Sequence, residues 1–570
     1  MIKKLVERIR SCPVTGLKVD LNAEKLIKFN AVTAIVCLLF GGIAALGLIL
    51  TRWEAIHLLS AQLFYRFLTL HGLNMLIFFI IFFEMAVLYF AAPVLLSARL
   101  PLPKLGWIGY GLMLLGAVMV NVIVLMGKGD VLFTSYPPLK ADPLYYLGII
   151  FFAVGALIGV SHFFISLIVA KKEKAYEGAM PLVTFGALTA AIIAVITLIH
   201  GAMIYIPTFL WSLDIMPMDP QIYRLLFWAL GHSSQQINVA AMVAIWYLLA
   251  GLTVGGVVMN EKISRIAFFL YILFISLASA HHLLVDPGMG SGWKIWNTSY
   301  AMYLAVLASM VHGFTVPAGI EMGQRLKGFN NGLFEWLRKA PWRDPGFSGM
   351  VLSIIIFGFL GGITGVIIGT EQINMIAHNT LRIPGHFHTT VVGGTALAFM
   401  AVTYYLLPLI FRRRIRFWKL AEIQPYLFGI GIVVMSMAMT FMGVMGVPRR
   451  HWGFSQSPFQ VDFNPIVSIL QAFVGIGGVI AIIGLLSFIL IAVATVFFGK
   501  KLENKWNEDP TGLPQGVLNF QKQVYTGAEV ANVHRIGARG TLVLVFVFLA
   551  CFIGYFFLNL KMLSFIWKVG

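Results

Sequence analysis

Six of the thirteen histidines in this 570-residue chain stand where they could bind metal: His71, His232, the adjacent pair His281 and His282, and His386 and His388, two residues apart. Each lies near the end of a long apolar run, and an ionisable group inside such a run is a functional candidate by default. Spacing separates their uses. At about 100° per residue, His386 and His388 point to opposite sides of a helix, so they serve two different centres. His281 and His282 close one run side by side and can converge on a single metal with His232 from the run before. Three imidazoles around an open position suit copper, zinc or iron. His71 and His388 are then left to grip a planar cofactor from both sides, with His386 holding a second from one side. His57, His162, His200, His312 and His534 lack such company and read as histidines satisfied by their neighbours. His378 and His451 lie beside the cluster.

The elements that must position these residues are membrane spans. With 59% hydrophobic, 14% aromatic and 11% charged residues, the chain has too little polar surface for a water-soluble globule of its size. Thirteen runs are long enough to cross a hydrocarbon core, near 29–50, 67–98, 105–127, 145–170, 181–205, 225–259, 264–285, 297–323, 347–370, 386–411, 423–446, 465–497 and 539–563. The fold class is therefore all-α and polytopic. We expect a cytoplasmic segment over 1–28 and one catalytic membrane domain over 29–570, its polar stretch 500–538 being a loop before the last helix. The first run has a basic leader but no small-residue cleavage site, so it reads as a retained span.

The net charge of +18 has a distribution that points to membrane orientation rather than nucleic acid. Basic residues fill alternate connections: Lys3, Lys4, Arg8 and Arg10, then the stretches near 171, 260, 325–343, 412–419 and 500–538. This places the N-terminus in the cytoplasm and the C-terminus outside; the expected location is a prokaryotic plasma membrane, as the resemblance given below implies. All six histidines then fall in the outer third of the bilayer. Arg449 and Arg450 break the charge pattern on the outer side and need an anionic partner. The cysteines, Cys12, Cys37 and Cys551, form no disulfide framework or metal motif.

Together these residues resemble subunit I of the haem-copper oxidoreductase superfamily. The resemblance is carried by "HGLNMLIFF", "FWALGH", "HHLLVDPG", "HNTLRIPGHFHTT" and "VPRR"; the thirteen spans and "FTVPAGIE" look most like its B family. It implies a low-spin haem, of b type, on His71 and His388, and a high-spin haem of b or a type on His386. Copper is implied on His232, His281 and His282, with a gaseous substrate between the two metals. Arg449 and Arg450 would pair with haem propionates, and Trp228 would lie near the copper or simply pack. Implied partners are nitric oxide or oxygen, membrane lipid, and an electron-donor subunit, cytochrome c or quinol. Iron in place of copper stays open.

One position departs from the oxygen-reducing pattern. Those members carry His-Pro-x-x-Tyr, whereas this chain has His232, Ser233, Ser234, Gln235 and Gln236. Residues four apart share a helix face, so Gln236 points where the phenol would have pointed. Splitting oxygen in one step takes four electrons, one of which the family draws from that tyrosine. Coupling two nitric oxide molecules to nitrous oxide and water takes two electrons and two protons, which need no phenol. A neutral amide can hydrogen-bond a bound gas, although it cannot titrate. The expectation is a nitric oxide reductase, with Gln236 and the histidines His232, His281, His282 and His386 at its catalytic centre. The alternative is an oxidase reducing oxygen to water, its tyrosine supplied by Tyr205 or Tyr300.

A proton route is expected along the sixth and eighth spans, through Tyr247 and Thr315, interrupted at Val243 where a hydroxyl is expected. Glu321 would admit protons at its inner end, and Glu84 could serve another route. A secondary transporter is the rival outside the family, but transporters show repeated halves and polarity near the midplane, neither of which is seen here.

Overall fold

The first helix begins where a cap permits rather than where the apolar run begins. Asp20 accepts hydrogen bonds from the Asn22 and Ala23 amides at 2.8 and 3.2 Å, so α1 (Leu21–Arg52) starts at Leu21 instead of near 29. Its polar first turns are held by Glu24, which accepts from Arg10 and Lys28 at 2.5 Å each. Residues 21–28, expected within a cytoplasmic segment, therefore belong to a helix. Just before it, β1 (Ile9–Ser11) pairs antiparallel with β2 (Lys18–Asp20), matching Ile9 with Asp20.

The computed structural model describes residues 9–12, 17–275, 279–453, 465–502 and 537–566. After α1 come α2 (Ala61–Val94), α3 (Pro103–Leu125), α4 (Pro143–Lys172), α5 (Leu182–Ser212) and α6 (Pro220–Val254). Then follow α7 (Glu261–Leu270, continuing through Ile275), α8 (Ser291–Leu326), α9 (Pro345–Gly369), α10 (Arg382–Phe411), α11 (Trp418–Val444), α12 (Pro465–Phe498) and α13 (Arg539–Ile566). Twelve helices among the described residues are long and apolar enough to cross a membrane. The exception is α7, whose expected run, 264–285, includes residues 276–278 outside the described set. The chain is thus the all-α polytopic protein its composition predicts.

Two compact units divide it, Met1–Ala241 and Met242–Gly570, with the division falling inside α6. In the first, α3 and α4 approach until backbones touch. A Cβ on Gly116 would lie 2.3 Å from the Gly148 carbonyl oxygen, and one on Gly155 2.5 Å from that of Gly109. Small residues at such a crossing let membrane helices gain dispersion contact where no hydrophobic drive exists. Phe29, Val32, Val36, Phe40 and Ile43, spaced three or four apart on α1, are each about half exposed, a stripe suited to hydrocarbon.

Among the described residues α2, α7, α8, α9 and α10 widen locally to π turns, and three of these turns bear on the predicted ligands: Asn74–Phe78 in α2, Ile356–Gly362 in α9 and His388–Ala396 in α10. Such turns re-aim side chains and concentrate at functional sites. One starts three residues after His71, another at His388, and the third carries the Gly361 carbonyl that meets His386.

Candidate metal centre

Three of the predicted ligands share one device. His71 on α2 sets Nδ1 3.1 Å from the Gly41 carbonyl of α1, and His388 on α10 sets Nδ1 2.7 Å from the Pro384 carbonyl one turn earlier. His386 sets Nδ1 3.1 Å from the Gly361 carbonyl and 3.0 Å from the Thr364 hydroxyl, both on α9. A carbonyl only accepts, so Nδ1 carries the proton in each ring and Nε2 is the nitrogen presented to a metal. Metal-binding histidines are oriented this way, by a second group on the far nitrogen. Space is cleared as well: a Cβ on Gly365 would sit 2.9 Å from Cε1 of His386. These donor sets fit axial ligation of haem iron.

His232 is arranged differently. The Gln236 amide nitrogen lies 3.3 Å from its Nε2, one helical turn on. His281 and His282 occupy a tight 3₁₀ turn, Ser279–His282, with ring centroids 4.2 Å apart. The His281 carbonyl accepts from the Asn374 side chain at 3.1 Å, and the same amide reaches the Ile368 carbonyl at 2.9 Å. His232, His281 and His282 are the three that the sequence assigns to one metal ion, and in the second unit His281 and His282 stand side by side for it. Three neutral imidazoles suit copper.

The arginine pair sits on a braced loop. The Arg449 amide donates to the Asn379 carbonyl at 2.8 Å and its guanidinium to the Asn379 side chain at 3.0 Å; Thr380 and Pro448 form a β-bridge beside them. Arg450 follows in the left-handed region, at φ 69. Sequence reasoning passed over a third arginine. Arg382, buried at the start of α10 one turn before His386, donates to Asn559 of α13 at 2.5 Å, while its Nε has no hydrogen-bond partner. A buried guanidinium beside a predicted haem ligand is the signal that "LRIPGH" carried. Thr364, Gly361, Gly365 and Asn374 were passed over too, because their roles depend on other helices.

Of the remaining predicted residues, Trp228 meets the Phe227 ring edge-on at 5.4 Å. Tyr300 is 55% exposed, and Tyr205 is buried on α5. Tyr247 and Thr315 do come together, hydroxyl to hydroxyl at 2.6 Å, while Val243 is buried one turn before Tyr247. Glu84 is buried, and its Oε1 has no hydrogen-bond partner. Glu321 is fully buried and heavily engaged. It accepts from Arg325 at 2.8 Å, from the Gly540 and Thr541 amides at 3.0 and 2.7 Å, and from the Thr541 hydroxyl at 2.7 Å. That geometry places it as a cap at the start of α13.

Residues 25–480 match the family model described as cytochrome c and quinol oxidase polypeptide I. The chain is 30% identical over 439 residues to a protein named cytochrome c oxidase subunit 1 from Thermus thermophilus, covering 75% of each. It is 22% identical to a quinol oxidase subunit 1 from Bacillus subtilis, across 80% of this chain and 70% of that one. A solved structure titled as a heme-copper terminal oxidase dimer superposes over 90% of both chains with a TM-score of 0.79 at 26% identity. The chain belongs to the family of subunit I of the haem-copper oxidases, as a multi-pass membrane protein.

Proposed function

We propose that this chain is the catalytic subunit of a terminal respiratory oxidase in a prokaryotic plasma membrane, reducing oxygen to water with electrons from cytochrome c or a quinol. In this reading His71 and His388 hold the low-spin haem and His386 the high-spin haem. His232, His281 and His282 hold copper, and Arg382, Arg449 and Arg450 supply positive charge for propionates. When bound, haems and copper supply the electrons and the gas-binding position. The observation that carries the reading is the shared anchoring of His71, His386 and His388, each with Nδ1 on a backbone carbonyl. The names of the relatives support oxygen as the substrate. The B-family likeness and the orientation, N-terminus inside and C-terminus outside, belong to the same proposal.

A second reading, nitric oxide reduction, is favoured by one specific contact. Gln236 stands at Nε2 of His232, where oxygen-reducing members carry a tyrosine, and an amide cannot lend the electron that phenol supplies. It can orient the ring and donate a hydrogen bond to a bound gas. The metal-loaded complex separates the two readings when oxygen uptake and conversion of nitric oxide to nitrous oxide are measured side by side. Rapid oxygen uptake with nitric oxide untouched is expected of the oxidase, and the reverse result would replace it with the reductase. Gln236→Tyr sharpens the choice: in a reductase it raises oxygen uptake severalfold, and in an oxidase that manages without the phenol it leaves uptake within about twofold.

A further inference from the structure

Asn559 sits where an apolar helix has no packing need for an amide. α13 turns most of its surface outward, and from Leu542 to Lys561 its one buried residue is Asn559, at 3% exposure. Docking is supplied elsewhere on the helix. Phe548, Phe552 and Phe556 pack on the cluster of Ile363, Ile367 and Ile373, and the amides of Gly540 and Thr541 bond to Glu321 at the other end. Polar groups inside membrane helices are expensive and mark function by default. Asn559 therefore needs a reason beyond holding α13 in place.

Its partner is Arg382 of α10, in the same unit and one turn before His386. Arg382 Nη2 donates to the Asn559 side-chain oxygen at 2.5 Å, while the Asn559 amide nitrogen donates to the Tyr555 carbonyl at 2.8 Å. The second bond fixes which end of the amide faces the guanidinium. Arg382 is itself buried, and among the described residues no carboxylate lies within ion-pair distance of it. Its Nε has no hydrogen-bond partner. Buried charges are ordinarily paired, because the low-dielectric interior penalises an uncompensated one. Here the guanidinium is held by an acceptor that carries no charge. An aspartate at 559 would grip it as well and neutralise it; an amide leaves the whole charge to act elsewhere. Residues four apart share a helix face, and the guanidinium is close enough to the His386 ring to interact with it electrostatically.

We propose that Asn559 is a positioning residue for Arg382, and that the charge it holds without cancelling raises the electron affinity of the haem on His386. The inference rests on the reading of His386 as a haem ligand. A cation near a redox centre favours the form that carries the extra electron, so losing or neutralising Arg382 lowers the midpoint potential. That direction suits the centre at which electrons reach the substrate, whichever gas it is. The C-terminal helix then contributes to the centre although none of its residues is a predicted ligand.

The test uses the metal-loaded complex with Asn559→Asp, Arg382→Gln and Arg382→Lys, and reads the midpoint potential of each haem by redox titration of its optical spectrum. Asn559→Asp is expected to shift one haem about tenfold towards the oxidised form at fixed ambient potential, a fall of about 59 mV for one electron. Arg382→Gln should lower the same haem at least as far, and Arg382→Lys, which keeps the charge, by less than about threefold. Adding Asn559→Asp to Arg382→Gln should bring no further fall, because a buried carboxyl without its cation stays protonated. Amide exchange over 550–561 should match the parent in Asn559→Asp, since an ion pair docks the helix as an amide does. A structural role predicts otherwise: both haems at parental potential in Asn559→Asp overturn the inference. A fall in Arg382→Lys equal to that in Arg382→Gln overturns it too, by assigning the effect to shape and not charge. Should an Arg382 variant fail to assemble, Asn559→Asp decides alone. A His386→Ala protein that keeps both haem spectra would instead refute the reading of His386, a result visible before any potential is measured.

Discussion

His386, partly buried, and His162, fully buried, both lie in membrane helices, and the main difference between them is what each spends its nitrogens on. His386 commits Nδ1 to the Gly361 carbonyl and Thr364 hydroxyl, leaves Nε2 for a metal, and lays its Cε1 edge against Gly365. His162 on α4 commits both: Nε2 lies 2.5 Å from the Pro101 carbonyl and Nδ1 3.3 Å from the Tyr89 hydroxyl. A ring bound on two sides is a strut, and a ring bound on one side is a pointer. His312, with one nitrogen on a phenol and the other without a partner, belongs to neither class. Residue type is the same in all three, and His162 and His312 are equally buried, so partners on the second nitrogen, not depth, separate those two.

The strongest way to break that comparison is to remove the pointer. His386→Ala should abolish one haem's optical signal and lower turnover at least about 100-fold, more than losses from changing groups behind a ligand. Gly365→Val, which places a side chain where the His386 ring lies, should reproduce much of this without touching a ligand. Haem content and the reduced-minus-oxidised spectrum report the outcome. A Gly365→Val protein with both haems at full occupancy would show that the clearance has no part in positioning the ring.

Much of this was legible in the sequence, for stated reasons. His386 and His388 are two apart, so helix geometry predicts that they face opposite ways, and their Nδ1 atoms do meet different carbonyls, of Gly361 and Pro384. The apolar runs locate the helices, although α1 starts at Leu21 because Asp20 caps it and Glu24 neutralises Arg10 and Lys28. What stayed hidden depends on partners distant in sequence. Asn74 joins Asn121 across 47 residues at 2.6 Å, and Arg382 reaches Asn559 across 177. No periodicity encodes such pairings. The wide turns at Asn74–Phe78 and His388–Ala396 were equally invisible, since nothing in their composition separates them from ordinary helix. His162 and His312 looked alike in the sequence for the same reason.

Removing the strut should have the opposite signature. His162→Phe leaves the Pro101 carbonyl and Tyr89 hydroxyl without their imidazole partner, a cost of about 2 kcal/mol. The midpoint of heat inactivation is expected to fall by a few degrees, with turnover per haem within about twofold of the parent. Turnover that collapsed while the haems stayed in place would mean His162 has chemistry that its two bonds conceal.

The smallest effect on turnover is expected where a charge looks most functional. Glu321 lies near the C-terminal end of α8, where the sequence places an acid admitting protons, yet four donor groups occupy its two oxygens. Two are backbone amides in the first turn of α13, where unpaired N–H groups and the helix dipole favour a carboxylate. Gly540 permits the approach, since a Cβ there would fall 2.2 Å from the Leu333 carbonyl oxygen. Glu321→Gln keeps the shape but turns one acceptor into a donor facing an amide, and leaves Arg325 without its ion partner in a buried setting. The C-terminal helix should loosen, read as faster amide exchange over 539–561, at a cost of about 1–3 kcal/mol. Turnover should stay within about twofold, because a cap acts on docking and not on proton supply. A tenfold fall in turnover with exchange in α13 unchanged would restore Glu321 to the proton route, and would make the C-terminal end of α8 a place where partners alone fail to assign a role.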